Sequence, residues 1–322
     1  MIRFDNVSKK YNDGTMAVKS LNLEIRAGEF FVVIGPSGCG KTTMLKMINR
    51  LIKLSEGTLF IDGKRISDYD IHELRWNIGY VLQQIALFPH MTIQENISVV
   101  PELRGWSREK ITKRVDELLE MVGLDPDTYR GRKPKELSGG QQQRIGVIRA
   151  LAADPEIILM DEPFSALDPI SREKLQDDLY DLQRRIKKTI VFVTHDMKEA
   201  LKLGDRICIM NGGEMVQIGT PEDLLKHPAD EFVRDFVGSN EKSYKAEGDL
   251  SRLAAPLPAD VSFSESLKMI SASASLKDAL FLLKDEEELG VEEEGKIIGT
   301  LSRHAVIRYL SDHLEERSSG HE

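Results

Sequence analysis

Short unbroken apolar runs punctuate this chain, each followed by a polar or glycine-rich joint. FFVVI at Phe30–Ile34, IILM at 157–160 and TIVFVT at Thr189–Thr194 have the length and bounds of strands buried on both faces of a parallel sheet. Behind the first run, Met44, Leu45, Met47 and Ile48 keep helical spacing, and Ile145, Ile148 and Leu151 do so ahead of the second. Around residue 240 the pattern lapses into the polar EKSYKAEGDLSR, which predicts a linker over 240–250. Past it, Ala279, Leu280, Leu282 and Leu283 predict a helix, Gly295 and Lys296 a turn, and Ile297, Ile298 and Leu301 the next strand. The expected organisation is a large α/β domain over 1–239 and a small α+β domain over 251–322.

Composition narrows this picture in three ways. A length of 322 residues is comfortable for one large core and a smaller one. The net charge of −9 is mostly C-terminal, because residues 241–322 hold ten Lys and Arg against seventeen Asp and Glu. No basic stripe or arginine-rich tract occurs, which argues against nucleic acid as a partner. Cys39 and Cys208 have neither disulfide-framework nor metal-ligand spacing, as in a reducing compartment. The apolar stretch over 30–40 is far short of the roughly 20 residues of a membrane span, and MIRFDNVSKKY lacks signal-peptide order. A soluble, cytoplasmic protein that docks onto a membrane-embedded partner fits all of this.

The joints hold the chemistry. Residues 35–43 read GPSGCGKTT between a strand and a helix, the arrangement of a phosphate-cradling loop. Gly35 and Gly40 let the backbone curl so that N–H groups face phosphate oxygens, Lys41 adds a mobile positive charge, and Thr42 offers a hydroxyl to Mg²⁺. Pro36, Ser37, Gly38, Cys39 and Thr43 complete the cradle. IILMDE delivers two carboxylates to a strand's C-terminal edge. There Asp161 would hold Mg²⁺, directly or through water, and Glu162 would orient and deprotonate an attacking water. LSGGQ opens a helix at Ser138, Gly139, Gly140 and Gln141, either as an ordinary serine N-cap or as a second anion grip. A second grip without a second phosphate loop makes sense if it closes over a nucleotide held by a partner chain.

In their order, GPSGCGKTT, Gln83 in YVLQQ, LSGGQ, IILMDEP, SALD and VTHD resemble the motifs of the ATP-binding cassette ATPases over about residues 1–240. That resemblance implies a P-loop α/β core with a mixed sheet, an antiparallel β subdomain from the N-terminus and a helical subdomain around 90–150. ATP and Mg²⁺ would lie between two copies of the chain. Lys41, Gln83, Glu162 and His195 would be catalytic, with Gln83 also sensing Mg²⁺ and His195 contacting the γ-phosphate. Tyr11 would stack on adenine, Asp168 would lie in the loop crossing the dimer interface, and Ser138, Gly139, Gly140 and Gln141 would reach the partner's nucleotide. From the residues alone, Tyr11 also reads as a surface aromatic and His195 as a helix cap. A hydrolase triad of Ser165, His195 and Asp196 lacks the GxSxG turn.

The stretch QQIALFPHMTIQENISVVPEL is most similar to the ATPase subunits of quaternary-amine importers for glycine betaine, carnitine and choline. It implies a homodimer at the cytoplasmic face of the membrane, peripheral to integral permease subunits and served indirectly by an extracellular solute-binding protein. Another small solute, such as an amino acid, is the alternative cargo. Leu87, Phe88 and Met91 around Pro89 read as a socket for a helix of the membrane subunit, or as an apolar loop packed under the helices. Residues 251–322 resemble one copy of a CBS domain, where such ATPases often carry two. Such a unit would pair across the dimer and bind an adenine nucleotide or cyclic di-AMP, or else be a folded but silent remnant.

Overall fold

The computed structural model describes residues 1–165, 167–238, 250, 254, 267–272, 274, 279, 282–284, 286–293 and 296–306. Apart from Leu250, the expected linker over 240–250 lies outside these residues, as do Leu280 and Gly295. Clustering of contacts divides the chain into two units, Met1–Asp235 and Phe236–Glu322.

The first unit begins with two long strands, β1 (Ile2–Lys10) and β2 (Met16–Ile25), followed by β3 (Phe30–Ile34), the loop 35–40 and α1 (Lys41–Ile48). Next come β4 (Glu56–Ile61), β5 (Lys64–Arg65), α2 (Ile71–Trp76) and β6 (Ile78–Val81). A helical stretch follows: α3 (Ile93–Leu103), α4 (Arg108–Met121), α5 (Pro126–Tyr129) and α6 (Gly139–Leu151). The chain then alternates through β7 (Ile157–Asp161), α7 (Pro169–Ile186), β8 (Thr189–Thr194), α8 (Met197–Leu203), β9 (Arg206–Asn211), β10 (Glu214–Gly219) and α9 (Pro221–Lys226), and residues 231–235 are again helical.

Two sheets result. β2, β1, β4 and β5 form an antiparallel sheet, and the other six strands run in the order β10-β9-β3-β8-β7-β6. Within the second sheet β9, β3, β8, β7 and β6 are parallel neighbours and β10 is antiparallel, so it is mixed as expected. β3 lies inside this sheet, and its five apolar side chains are at most 2% exposed, because helices and the other sheet cover both its faces. Each such Phe or Ile contributes about 1.5–3 kcal/mol by leaving water, so the apolar run that was visible in the sequence anchors the sheet that carries the site.

The helical stretch holds the apolar loop ahead of it from within the chain. Asn96 is fully buried on α3 and satisfies the preceding loop: its Oδ1 accepts from Phe88 N at 2.8 Å and its Nδ2 donates to Phe88 O at 3.1 Å and Thr92 O at 2.9 Å. Arg149 adds a bond to Ala86 O at 2.5 Å. Held this way, Leu87 points into the core and is 8% exposed, while Phe88 stays 41% exposed. One apolar side chain of the loop therefore packs under the helices, and its neighbour remains at the surface.

In the second unit β11 (Met269–Ser271) pairs in parallel with β12 (Glu288–Glu293), which pairs antiparallel with β13 (Lys296–Ser302). Its core includes Ile270, Ala279, Leu283, Leu289, Val291 and Leu301. The glutamate-rich stretch 286–293 is largely strand: Leu289 and Val291 on β12 face the core of this unit, while Glu288 stays exposed. Glu286 pairs with Lys268 at 2.9 Å.

Candidate nucleotide site

Four parallel strands deliver their C-terminal ends to one edge. The register pairs Ile34 with Thr194, Val193 with Asp161, and Met160 with Val81, so β3, β8, β7 and β6 finish nearly level. Residues 35–43, His195, Glu162 and Gln83 follow those four ends, and this edge of an open α/β sheet is where ligands bind.

The phosphate loop is shaped by close approaches. A Cβ on Gly40, which has φ of 103°, would lie 2.2 Å from Ala17 O, and one on Gly35 would lie 2.1 Å from Met210 O. Side chains there would push the loop off β2 and β9, so both glycines are required by the fold itself. Lys41, 6% exposed, donates to Gly35 O at 2.7 Å and Pro36 O at 3.0 Å, which keeps its charge within the loop. Cys39 is buried as a free thiol, and burial raises its ionisation above the usual range, so it packs rather than reacts. Tyr11, 37% exposed, has its hydroxyl 3.3 Å from Thr43 Oγ1, next to the loop.

Beside Lys41 an oxygen cluster forms. Thr42 Oγ1 donates to Asp161 Oδ1 at 2.8 Å, and Tyr80 donates to Asp161 Oδ2 at 3.4 Å. A hydroxyl and a carboxylate meeting beside a phosphate loop are the hard oxygen donors that Mg²⁺ takes, so these residues fit that ion. Burial lifts the Asp161 carboxyl above its ordinary range and the Glu162 charge adds to this, while the Thr42 bond works against both. Burial also raises the Tyr80 phenol, which keeps it a donor.

Glu162 follows β7 in the left-handed region at φ 45°, a conformation costing a non-glycine residue about 1–2 kcal/mol. Its N–H donates to Val193 O at 2.9 Å, and Ser165 Oγ donates to its carbonyl at 3.0 Å. The side chain thereby meets both neighbours: Oε2 accepts from Gln83 Nε2 at 3.4 Å and lies 3.1 Å from His195 Nδ1. With Glu162 21% and His195 63% exposed at the side chain, water reaches this carboxylate. A carboxylate that keeps some exposure, steadied from two adjacent strand ends, can accept a proton from water.

The helix after His195 is capped by Asp196, whose Oδ1 accepts from Lys198 N at 2.8 Å, so His195 is not the cap. Under it lies a buried group that the sequence reading did not single out. Thr194 Oγ1 donates to Glu199 Oε2 at 2.5 Å, and Gln176 reaches Glu199 Oε1 at 3.4 Å. Burial raises the Glu199 carboxyl.

Ser138 is the N-cap of α6 in a complete capping box: Gln141 N donates to Ser138 Oγ at 3.3 Å and Ser138 N to Gln141 Oε1 at 3.0 Å. Gln141 Nε2 also donates to Tyr129 OH at 3.0 Å. Among the described residues, none of Ser138, Gly139, Gly140 and Gln141 hydrogen-bonds to the phosphate loop, Asp161 or Glu162. Asp168, exposed just before α7, accepts from Arg172 N at 2.9 Å. Within one chain the structure therefore brings together Lys41, Thr42, Asp161, Gln83, Glu162 and His195, and leaves the LSGGQ segment separate from them.

Comparison with known proteins places this geometry. Residues 18–165 match the family model described as ABC transporter. The chain is 53% identical to the choline transport ATP-binding protein OpuBA of Bacillus subtilis (strain 168), over 98% of this chain and 84% of that one. It is 47% identical to the osmoprotectant import ATP-binding protein OsmV of Salmonella typhimurium, over 94% and 79%. Among solved structures it is similar to the dimeric ATP-binding cassette MJ0796 bound to ADP and Pi, with TM-score 0.62 and 40% identity over 69% of this chain and 99% of that one.

Proposed function

This chain belongs to the ABC transporter family as an ATP-hydrolysing subunit, and from that premise we propose that it drives uptake of quaternary-amine osmoprotectants. The observation behind the enzymatic part is the convergence of Gln83 and His195 on Oε2 of Glu162, beside the Thr42–Asp161 pair. Lys41 and the backbone of 36–43 would neutralise the phosphates. Thr42, Asp161 and Gln83 would hold Mg²⁺, which supplies charge neutralisation at the β- and γ-phosphate oxygens when bound. Glu162 would take a proton from the attacking water, and His195 and Gln83 would fix its carboxylate in place.

The composite site is supported by Gly139. Although it is the first residue of α6, nothing lies within 4 Å of where its Cβ would be, so no crowding within the chain calls for glycine there. A bare helix start is open to approach from outside, where the N–H groups of Gly139 and Gly140 have no partner within their helix. ATP held by residues 35–43 of one copy, with Tyr11 against adenine, would meet Ser138–Gln141 of the other, with Asp168 at the junction. Two such copies would sit at the cytoplasmic face of the membrane against integral permease subunits.

The cargo is inferred from relatives whose names specify choline, carnitine, glycine betaine or osmoprotectant transport. Co-purified with its membrane subunits in proteoliposomes, the chain is expected to show ATPase activity stimulated by glycine betaine, carnitine or choline through the solute-binding protein. Stimulation by an amino acid and by none of the three would replace this cargo with the alternative. We also propose that 251–322 is a CBS-like regulatory domain for cyclic di-AMP or an adenine nucleotide, on the strength of its paired strands β11, β12 and β13 and their small core. Calorimetry of the full Lys41→Ala chain should show cyclic di-AMP binding. Absence of heat with cyclic di-AMP, AMP and ATP alike would remove this assignment.

A further inference from the structure

The helical stretch holds a groove of about 550 Å³ that the ATPase chemistry does not use. It forms where the corner between α3 and α4 meets the chain leaving α6. Gly105 turns that corner at φ 71°, Trp106 N closes onto Pro101 O at 3.1 Å, and Ser107 caps α4. Two arginines join the corner to the carbonyls at the end of α6: Arg104 Nη1 donates to Ala153 O at 2.6 Å and Arg114 Nη2 to Leu151 O at 3.0 Å. Capping of a helix C-terminus accounts for those two bonds and fixes both guanidinium groups in the wall.

Capping leaves the remaining charge unexplained. Lys110 Nζ lies 3.6 Å from the centre of the half-buried Trp106 ring. Lys113 also lines the groove and, among the described residues, makes no ion pair. Arg114 Nε is buried without a hydrogen-bond partner. Against these cations stand two acids. Glu117 lies 3.6 Å from Arg114, and Asp154, 4.0 Å from Arg114, is closer to Lys188 at 3.2 Å. A concave surface with a net positive lining concentrates anions, and this one also offers an aromatic face.

We propose that this groove binds a phosphate-bearing anion with an apolar or aromatic body, the phosphate on Arg114, Lys110 and Lys113 and the body on Trp106. The volume is within the range of small-molecule sites. Phosphate suits the wall better than a carboxylate, since its oxygens diverge and can use several separate cations at once. Both a phospholipid headgroup and a soluble phosphate ester have this chemistry.

The chain's two tryptophans are Trp76 and Trp106, so a Trp76→Phe chain reports on the groove through Trp106 fluorescence. It would be titrated with phenyl phosphate, with phosphatidylglycerol vesicles and with phosphatidylcholine vesicles. A saturable change with phenyl phosphate identifies a soluble ester site, and one with phosphatidylglycerol alone identifies a headgroup site. In either case Lys110→Glu with Lys113→Glu should weaken binding at least about tenfold, as expected for reversal of two contact charges. Lys41→Ala should leave it unchanged. If the double variant does not fold, the exposed Lys113→Glu change alone serves the same purpose. No response to either anionic probe, an equal response to phosphatidylcholine, or indifference to charge reversal would overturn the proposal.

Discussion

Glu162→Gln is expected to bind ATP like the native chain while hydrolysing it more slowly by a factor on the order of 10² to 10⁴, the usual contribution of a positioned general base. The amide keeps the size of the side chain and an oxygen to accept from Gln83, so the bonds that fix position 162 are largely retained. It cannot take the proton of water. Phosphate release measures the rate, and a fluorescent ATP analogue measures binding. Light scattering should show an ATP-dependent dimer that persists, because the step that reopens it is blocked. Hydrolysis at the native rate would remove Glu162 from the role of base, and loss of ATP binding would show that the carboxylate serves structure instead.

What the sequence revealed were features with short-range causes. An apolar run of five residues between a charged turn and a glycine loop has few other folds open to it, which is why β3, β7 and β8 and the residues that follow them could be placed in advance. Partners supplied by distant elements were not legible. Tyr80 looks like one more residue of a strand until β6 settles next to β7 and puts its hydroxyl 3.4 Å from Asp161. Glu199 reads as an ordinary first-turn acid of α8, yet the closing of α7 over it makes it a buried acceptor for Gln176 and Thr194. Asn96, within an amphipathic helix, gives no sign that it turns Leu87 inward. The glutamates of 288–293 hide a strand for a related reason. Glutamate has poor strand propensity, and only the pairing of β12 with β11 and β13 sets Leu289 and Val291 against the core.

The separation of Ser138 from Lys41 within one chain leads to the second large effect. If each site takes its phosphate loop from one copy and its LSGGQ segment from the other, Ser138→Arg disables the site whose Lys41 belongs to the partner. A homodimer of either Ser138→Arg or Lys41→Ala then has two damaged sites. Mixing the two variants puts both lesions into one site and leaves the other whole. Because Ser138 caps α6, its replacement also costs about 0.5–2 kcal/mol of local stability, so melting temperatures must first confirm that the variant folds.

Trapped ATP per dimer, counted for the mixed pair and for each homodimer with Glu162→Gln present throughout, tests the shared site without requiring both sites to turn over. One occluded ATP per mixed dimer, with essentially none in either homodimer, is the result this account predicts. Mixed dimers that retain no more ATP than the homodimers would contradict it, and would return Ser138–Gln141 to a helix cap.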